Sequence, residues 1–118
     1  MRPGRRYASP MSRLHRAPLD VLEYEIVEEQ AASLGRMGRA LETALAKLRA
    51  FDAAHPCNDA PPSAQQERRS LVLAAGRALW MLVVQREACG LRDSRTLLRD
   101  YGVPGEVQLH MDGGTGRG

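Results

Sequence analysis

Residues 71–84 read LVLAAGRALWMLVV, and this stretch decides how the chain folds. Arg77 is the only polar residue in it. A helix that is apolar around its whole circumference must be buried on all sides. The stretch is shorter than the roughly 20 apolar residues that a membrane span requires. We therefore predict that it forms the centre of a helical bundle.

The predicted helix extends beyond this stretch in both directions. Ser63 is the expected N-cap, and Gln66 stands at the matching capping-box position. Gly90 is the expected stop signal, because glycine adopts the left-handed conformation that ends many helices. We predict a helix from Ser63 to about Cys89.

A second long helix is predicted upstream, from Pro18 to about Ala54, because nothing in that range breaks a helix. Pro18 is allowed in a first turn, and Asp20 and Glu23 would then lie at the positive end of the helix dipole. Apolar residues step by three and four along two stripes. One stripe contains Leu19, Leu22, Ile26, Ser33, Met37, Ala40, Ala44, Leu48 and Phe51, and the other contains Val27, Ala31, Leu34, Gly38, Leu41, Leu45 and Leu48.

The rest of the chain predicts short elements and two tails. The proline-rich segment 55–62 is a loop between the long helices. Asp93 or Ser94 caps a short helix that Gly102 ends. Residues 104–111 form either a last helical turn or a short strand, and we favour the turn. Glycine-rich residues 112–118 form a flexible tail, and residues 1–17 form a disordered basic arm.

These elements predict an all-α fold in one domain, residues 18–111. Aromatic residues are only 4% of the chain, so the core must consist mainly of Leu, Val, Ala and Met, which suit helices. The architecture is a long helical hairpin with one or two short C-terminal helices. A hairpin leaves apolar helix faces uncovered, and pairing two copies into a four-helix-bundle-like homodimer would bury them.

We expect self-association to use the apolar helix faces, although a foreign protein partner would fit the same faces. The residues expected there are Leu71, Val72, Ala75, Leu79, Trp80, Leu82, Val83, Gly35, Gly38, Leu41 and Leu45. Gly35 and Gly38 are either tolerated weak spots in the first helix or positions of close helix approach, and we favour close approach. Arg77 either extends to the surface or pairs with an acid such as Glu42 or Glu28.

The charge distribution makes nucleic acid only a secondary candidate partner. The net charge is +3, and residues 1–17 carry five arginines without an acid, so the remainder carries −2. A basic folded surface, the usual sign of a nucleic-acid-binding domain, is therefore not expected. The arm is an unstructured leader or, in the alternative function, a nucleic-acid-associated or regulatory element that contacts phosphates without reading sequence. Its arginines are Arg2, Arg5, Arg6, Arg13 and Arg16.

No arrangement of residues predicts catalysis, a metal site or a cofactor. Glu-x-x-His pairs, which di-metal helical bundles use, do not occur in either long helix. His55, Cys57 and Asp59 lack a fourth ligand for zinc. A phosphate-binding loop and a nucleophile elbow are also missing from the sequence. We therefore expect a non-enzymatic protein, with the cytoplasm as its default location because no hydrophobic export signal follows Arg5 and Arg6.

Several short segments together resemble a family of short alphaproteobacterial proteins of unknown function. They are residues 19–27, Ala31, residues 34–35, residues 41–42, residues 48–52, residues 79–80 and residues 101–104. The resemblance covers about residues 18–111. It implies a helical fold, but it implies no activity and no functional residues.

Overall fold

The computed structural model of the chain describes residues 10–56 and 60–111, with side chains from residue 20 onward. Its described residues form four α-helices and no strand. The helices are α1 (Pro10–Ala54), α2 (Pro62–Ala88), α3 (Ser94–Tyr101) and α4 (Gly105–Gln108). The predicted all-α fold, a long hairpin of α1 and α2 followed by short C-terminal helices, is confirmed.

The chain divides into two units at Ala32. The first unit contains the amino-terminal part of α1. The second begins at Ser33 and contains the rest of α1 together with α2, α3 and α4. The hydrophobic core belongs to this second unit.

Helix α1 begins at Pro10, before the predicted start at Pro18. Proline removes one main-chain hydrogen bond from a helix interior, but the turns on either side can continue. Residues 10–17, which we assigned to a disordered arm, are therefore helical, whereas residues 1–9 lie outside the described residues. The first turn of α1 contains no acid. Asp20 and Glu23 are thus too far from the helix end for the dipole to explain them, because its effect is confined to the first turn.

Different residues fix the two ends of α2. The prediction of Ser63 as N-cap is wrong, because the helix begins at Pro62 and Pro61 takes the N-cap position. Proline suits this start, since its fixed φ is already helical and its missing N–H would have no partner there. At the other end Gly90 has a φ of 89°, and the Leu91 N–H donates to the Arg86 carbonyl at 2.8 Å. Gly90 ends the helix as predicted.

The short helices follow the predicted signals. Asp93 is the N-cap of α3, and its carboxylate accepts a hydrogen bond from the Thr96 N–H at 3.2 Å. Gly102, with a φ of 62°, ends α3 in the left-handed region. Residues 105–108 form a helical turn, which decides between the two alternatives for that segment.

The core is formed by all four helices. From α1 it takes the second predicted stripe, centred on Leu41 and Leu45, and from α2 it takes the face that contains Leu79. The short helices and the link between them cover this pair of faces. The buried cluster contains Leu41, Leu45, Leu48, Val72, Ala75, Leu79, Leu82, Val83, Leu97, Val103 and Val107.

Gly76 lets the chain after α4 approach α2 closely. A Cβ atom at this position would collide with the carbonyl oxygen of His110 and lie 2.8 Å from its carbonyl carbon. Both are main-chain atoms, so they cannot move aside without displacing the turn that follows α4. By contrast, a Cβ at Gly35 would meet only the flexible end of Arg39, at 3.4 Å.

We predict opposite effects for alanine at these two glycines. Gly76→Ala should lower the free energy of unfolding by about 1–3 kcal/mol, because the added carbon overpacks a main-chain contact. Gly35→Ala should raise it by up to about 1 kcal/mol, because alanine is the better helix former. Urea denaturation of the two variants and the wild type would measure both changes. Equal effects would contradict the close approach at Gly76.

Candidate interaction surface

Most residues predicted for self-association lie inside the core of the single chain. Leu41, Leu45, Ala75 and Leu79 are each no more than 1% exposed, so they are not available to a second copy. The other predicted interface residues that are buried within the single chain are Val72, Leu82, Val83 and Gly38. This corrects the assignment of these residues to an interface. The assignment failed because α3 and α4 cover a hairpin face that we expected to be open.

The two predicted glycines of close approach behave differently. Gly38 is buried, and a Cβ atom there would lie 2.5 Å from the hydroxyl oxygen of Tyr101 in α3. Close packing at Gly38 therefore occurs within one chain. Gly35 is only half-buried.

The side of α2 opposite its core face is apolar and exposed. Trp80 is 40% exposed, and Met81 and Val84 are each 43% exposed. Together with half-buried Leu73 and exposed Arg77, they recur at steps of three and four and so form one stripe, the outer stripe of α2. Leu71, which we also predicted for the interface, is half-buried beside the core. One side of α2 is therefore uncovered within one copy, as expected for a single hairpin, and its burial by a second copy stays a prediction.

A groove of about 450 Å³ runs beside this stripe, between α1 and α2. The first predicted stripe of α1 provides Met37 and Ala40 as one wall. The complete lining is Met37, Ala40, Ser70, Leu73, Ala74, Arg77, Ala78 and Met81. Ser70 and Arg77 are the only polar residues in that lining. A neighbouring depression shares Ala40 and Ala74 with the groove, so the two form one continuous surface.

The charged residues along this continuous surface are basic. Arg77 lines the groove, and Arg39 and Lys47 line the adjoining depression. All three are exposed. None of the three has an ion-pair partner among the described residues. Glu42 and Glu28, the acids that we considered for Arg77, therefore form no ion pair with it. Arg77 therefore extends to the surface, which was one of its two predicted arrangements.

The amino-terminal unit has a different character. Residues 20–32, which we call the acidic segment, contain five acids and no Lys or Arg. Large apolar side chains are also exposed along it. They are Val21, Leu22, Tyr24, Ile26 and Val27, at 53–64% exposure.

An arginine that the sequence analysis did not single out joins three helices. Arg68 of α2 binds Asp52 of α1 at 2.7 Å and Glu106 of α4 at 2.6 Å. Its hydrogen bonds lower the pKa of both carboxyl groups, and the carboxylates in turn raise the pKa of Arg68. Residues this distant in sequence leave no periodic signal, so only the folded chain reveals the cluster. Its role is to fix the end of α1 and α4 against α2.

We predict that this cluster makes stability depend on pH. Both carboxyls have folded-state pKa values below their ordinary values of 3.8 and 4.5, so they stabilise the fold above those values and lose that contribution as the pH falls below them. Arg68→Met should lower the free energy of unfolding at neutral pH by at most about 1 kcal/mol, because the pairs are partly exposed and screened.

Denaturation of Arg68→Met from about pH 6 to about pH 3 should show a smaller acid-induced loss of stability than the wild type. Arg69→Met is the matched control, since Arg69 is exposed and has no ion pair among the described side chains. If both variants follow the same pH profile, Arg68 does not act through its carboxylates.

Two further predictions concern residues that are only partly described. Arg2, Arg5 and Arg6 lie outside the described residues, as do the side chains of Arg13 and Arg16, so the role of the basic arm stays a prediction. Cys57 and Asp59 also lie outside them. Within the described part of the chain, no three metal-ligating side chains come together, and none of the helices is long and apolar enough to cross a membrane.

The fold and this surface together define a small all-α hairpin protein with an exposed, basic-edged apolar groove. The chain belongs to a family of unknown function, DUF6665, whose model matches residues 11–117. The resemblance to a family of unknown function is therefore confirmed. No curated protein matches the chain, and no solved structure matches it either.

Proposed function

We propose that this chain is a non-enzymatic, self-associating helical protein of the cytoplasm, and that its interface is the outer stripe of α2 with the adjoining groove. The observation that carries the proposal is the exposure of Trp80, Met81 and Val84 side by side on one helix face. Single exposed apolar residues are common on protein surfaces, but a contiguous apolar patch marks an interaction site.

Pairing two hairpins is the simplest way to cover this surface. A helix that packs through both of its long faces needs a neighbour on each, and among the described residues the buried neighbours of α2 lie on its core side. A second copy would supply the missing neighbour and complete a bundle of four long helices. Two-fold symmetry satisfies both copies at once and leaves no open surface for further growth.

The composition of the stripe also favours a protein interface. Trp, Met and Arg are enriched at the centres of interfaces, and the stripe contains one of each, Trp80, Met81 and Arg77. Trp80 offers the largest apolar area, and Arg77 offers a charge that a partner can meet. A foreign protein with a complementary helix is the alternative occupant.

The titratable groups support a non-enzymatic role. Perturbed pKa values in enzymes arise where burial and charge partners act together in a cleft. In this chain the lowered pKa values of Asp52 and Glu106 come first from hydrogen bonds with Arg68, and that of Asp93 comes from its hydrogen bonds with Thr96. Each of these contacts joins or caps helices.

Self-association predicts a particle of twice 13.0 kDa at micromolar concentration, measurable by light scattering or sedimentation. Met81→Asp should convert it to a folded monomer, because a charge would have to be buried in the apolar interface. Leu109→Asp is the matched control, since Leu109 is 81% exposed and lies outside the stripe. Leu79→Asp should instead unfold the chain, because Leu79 is fully buried.

The oligomeric state of the wild-type protein is the first test of the proposal. A monodisperse monomer at about 100 μM, well above typical dimer affinities, would overturn self-association. If Met81→Asp and Leu109→Asp both remain dimers, association uses another surface. Capture of a foreign helical protein that Met81→Asp abolishes, together with a monomeric wild type, would favour the alternative occupant.

A further inference from the structure

We infer that the groove is occupied by the acidic segment, residues 20–32, of a second copy of this chain. The inference rests on the proposed self-association and specifies how the two copies meet. It follows from two surfaces of opposite charge, each with exposed apolar side chains that no contact within the described chain covers.

The groove is suited to a helix with an apolar face and acidic edges. Its lining includes small or flexible side chains such as Ala40, Ala74 and Met81, which leave room for the bulky residues of a partner. Arg77 lies in this groove, and Arg39 and Lys47 lie along its continuation. None of these three cations is neutralised by an ion pair within the described residues.

The acidic segment has the complementary properties. It is entirely helical, as part of α1, and Leu22, Ile26 and Val27 are each more than half exposed. Leu22 and Ile26 are one turn apart, so they lie on one face of the helix. Glu23 and Glu25 lie about 80° to either side of this face, and the segment contains no basic residue.

The helix dipole does not explain the acids of the segment, and the core does not explain its apolar side chains. The acids are not in the first turn of α1, so the helix dipole does not account for them. The exposed apolar side chains contribute nothing to the core. A solvent-facing acidic helix would need the acids but not Leu22, Ile26 and Val27. An interface needs both.

A second copy carries both surfaces of this contact, since the acidic segment is part of α1 and α1 also forms one wall of the groove. In a two-fold symmetric pair, each copy offers its acidic segment to the groove of the other, so two identical contacts form. Opposite charges at the edges of each contact set its register and speed its formation.

Charge reversal in the full-length chain tests this arrangement. Arg77→Glu makes the groove repel the segment, and the double variant Glu23→Lys/Glu25→Lys makes the segment repel the groove. Each variant alone should weaken self-association about tenfold or more, as measured by sedimentation equilibrium. All three positions are exposed, so circular dichroism and thermal melting should show folded chains.

Mixing the two variants gives the decisive measurement. In the mixed dimer, the reversed groove meets the reversed segment while the native groove meets the native segment, so both contacts are attractive. An equimolar mixture should therefore associate with about the wild-type affinity, and affinity-tagged Arg77→Glu should retain the other variant. Arg95→Glu, an exposed charge reversal on α3, is the matched control and should associate like the wild type.

The outcomes separate this inference from the proposal on which it rests. If the wild type does not associate, both are overturned. If the wild type forms a dimer that the charge reversals do not weaken, or if the mixture does not restore association, self-association stands and the docking of the acidic segment is overturned. Restoration in the mixture, with weak association of each variant alone, supports the inference.

Discussion

The burial of one face of α2 is the constraint on which the rest of the hairpin unit depends. Leu79 and Ala75 are completely buried, and they contact a cluster that contains Leu41 and Leu45 of α1 and Val107 of α4. Removing a buried leucine side chain typically costs about 2–5 kcal/mol, a large part of the stability of a domain this small. The helices are therefore held together chiefly by this shared apolar centre, and the polar contacts act at its edges.

Those edge contacts decide where the helices end and how they are joined. Arg68 connects α2 to the last turns of α1 and to α4, while Arg49 of α1 donates hydrogen bonds to the carbonyls of Tyr101 and Gly102 at the end of α3. A cation at the C-terminus of a helix is also favoured by the helix dipole. Such exposed contacts add little energy individually. Their value lies in selecting one arrangement of short helices that have few buried residues of their own.

The two halves of the long helix α1 differ because their apolar residues have different surroundings. From Met37 onward one apolar stripe enters the core and the other lines the groove. In residues 20–32, large apolar side chains of both stripes are exposed. The same helical periodicity therefore serves a core in one unit and an open surface in the other.

Periodicity and end signals in the sequence determined the all-α hairpin, the short helix begun by Asp93 and the stops at Gly90 and Gly102, because these features depend on neighbouring residues. Two outcomes were decided only by tertiary structure. The apolar run 71–84 does not indicate which side of α2 is buried within its own chain. In the folded chain, α3 and α4 cover the side that contains Leu79, and Trp80 on the other side stays exposed. The cluster around Arg68 joins residues far apart in sequence. The continuation of α1 through Pro18 is instead a local effect, since proline removes a single hydrogen bond and the surrounding turns can retain theirs.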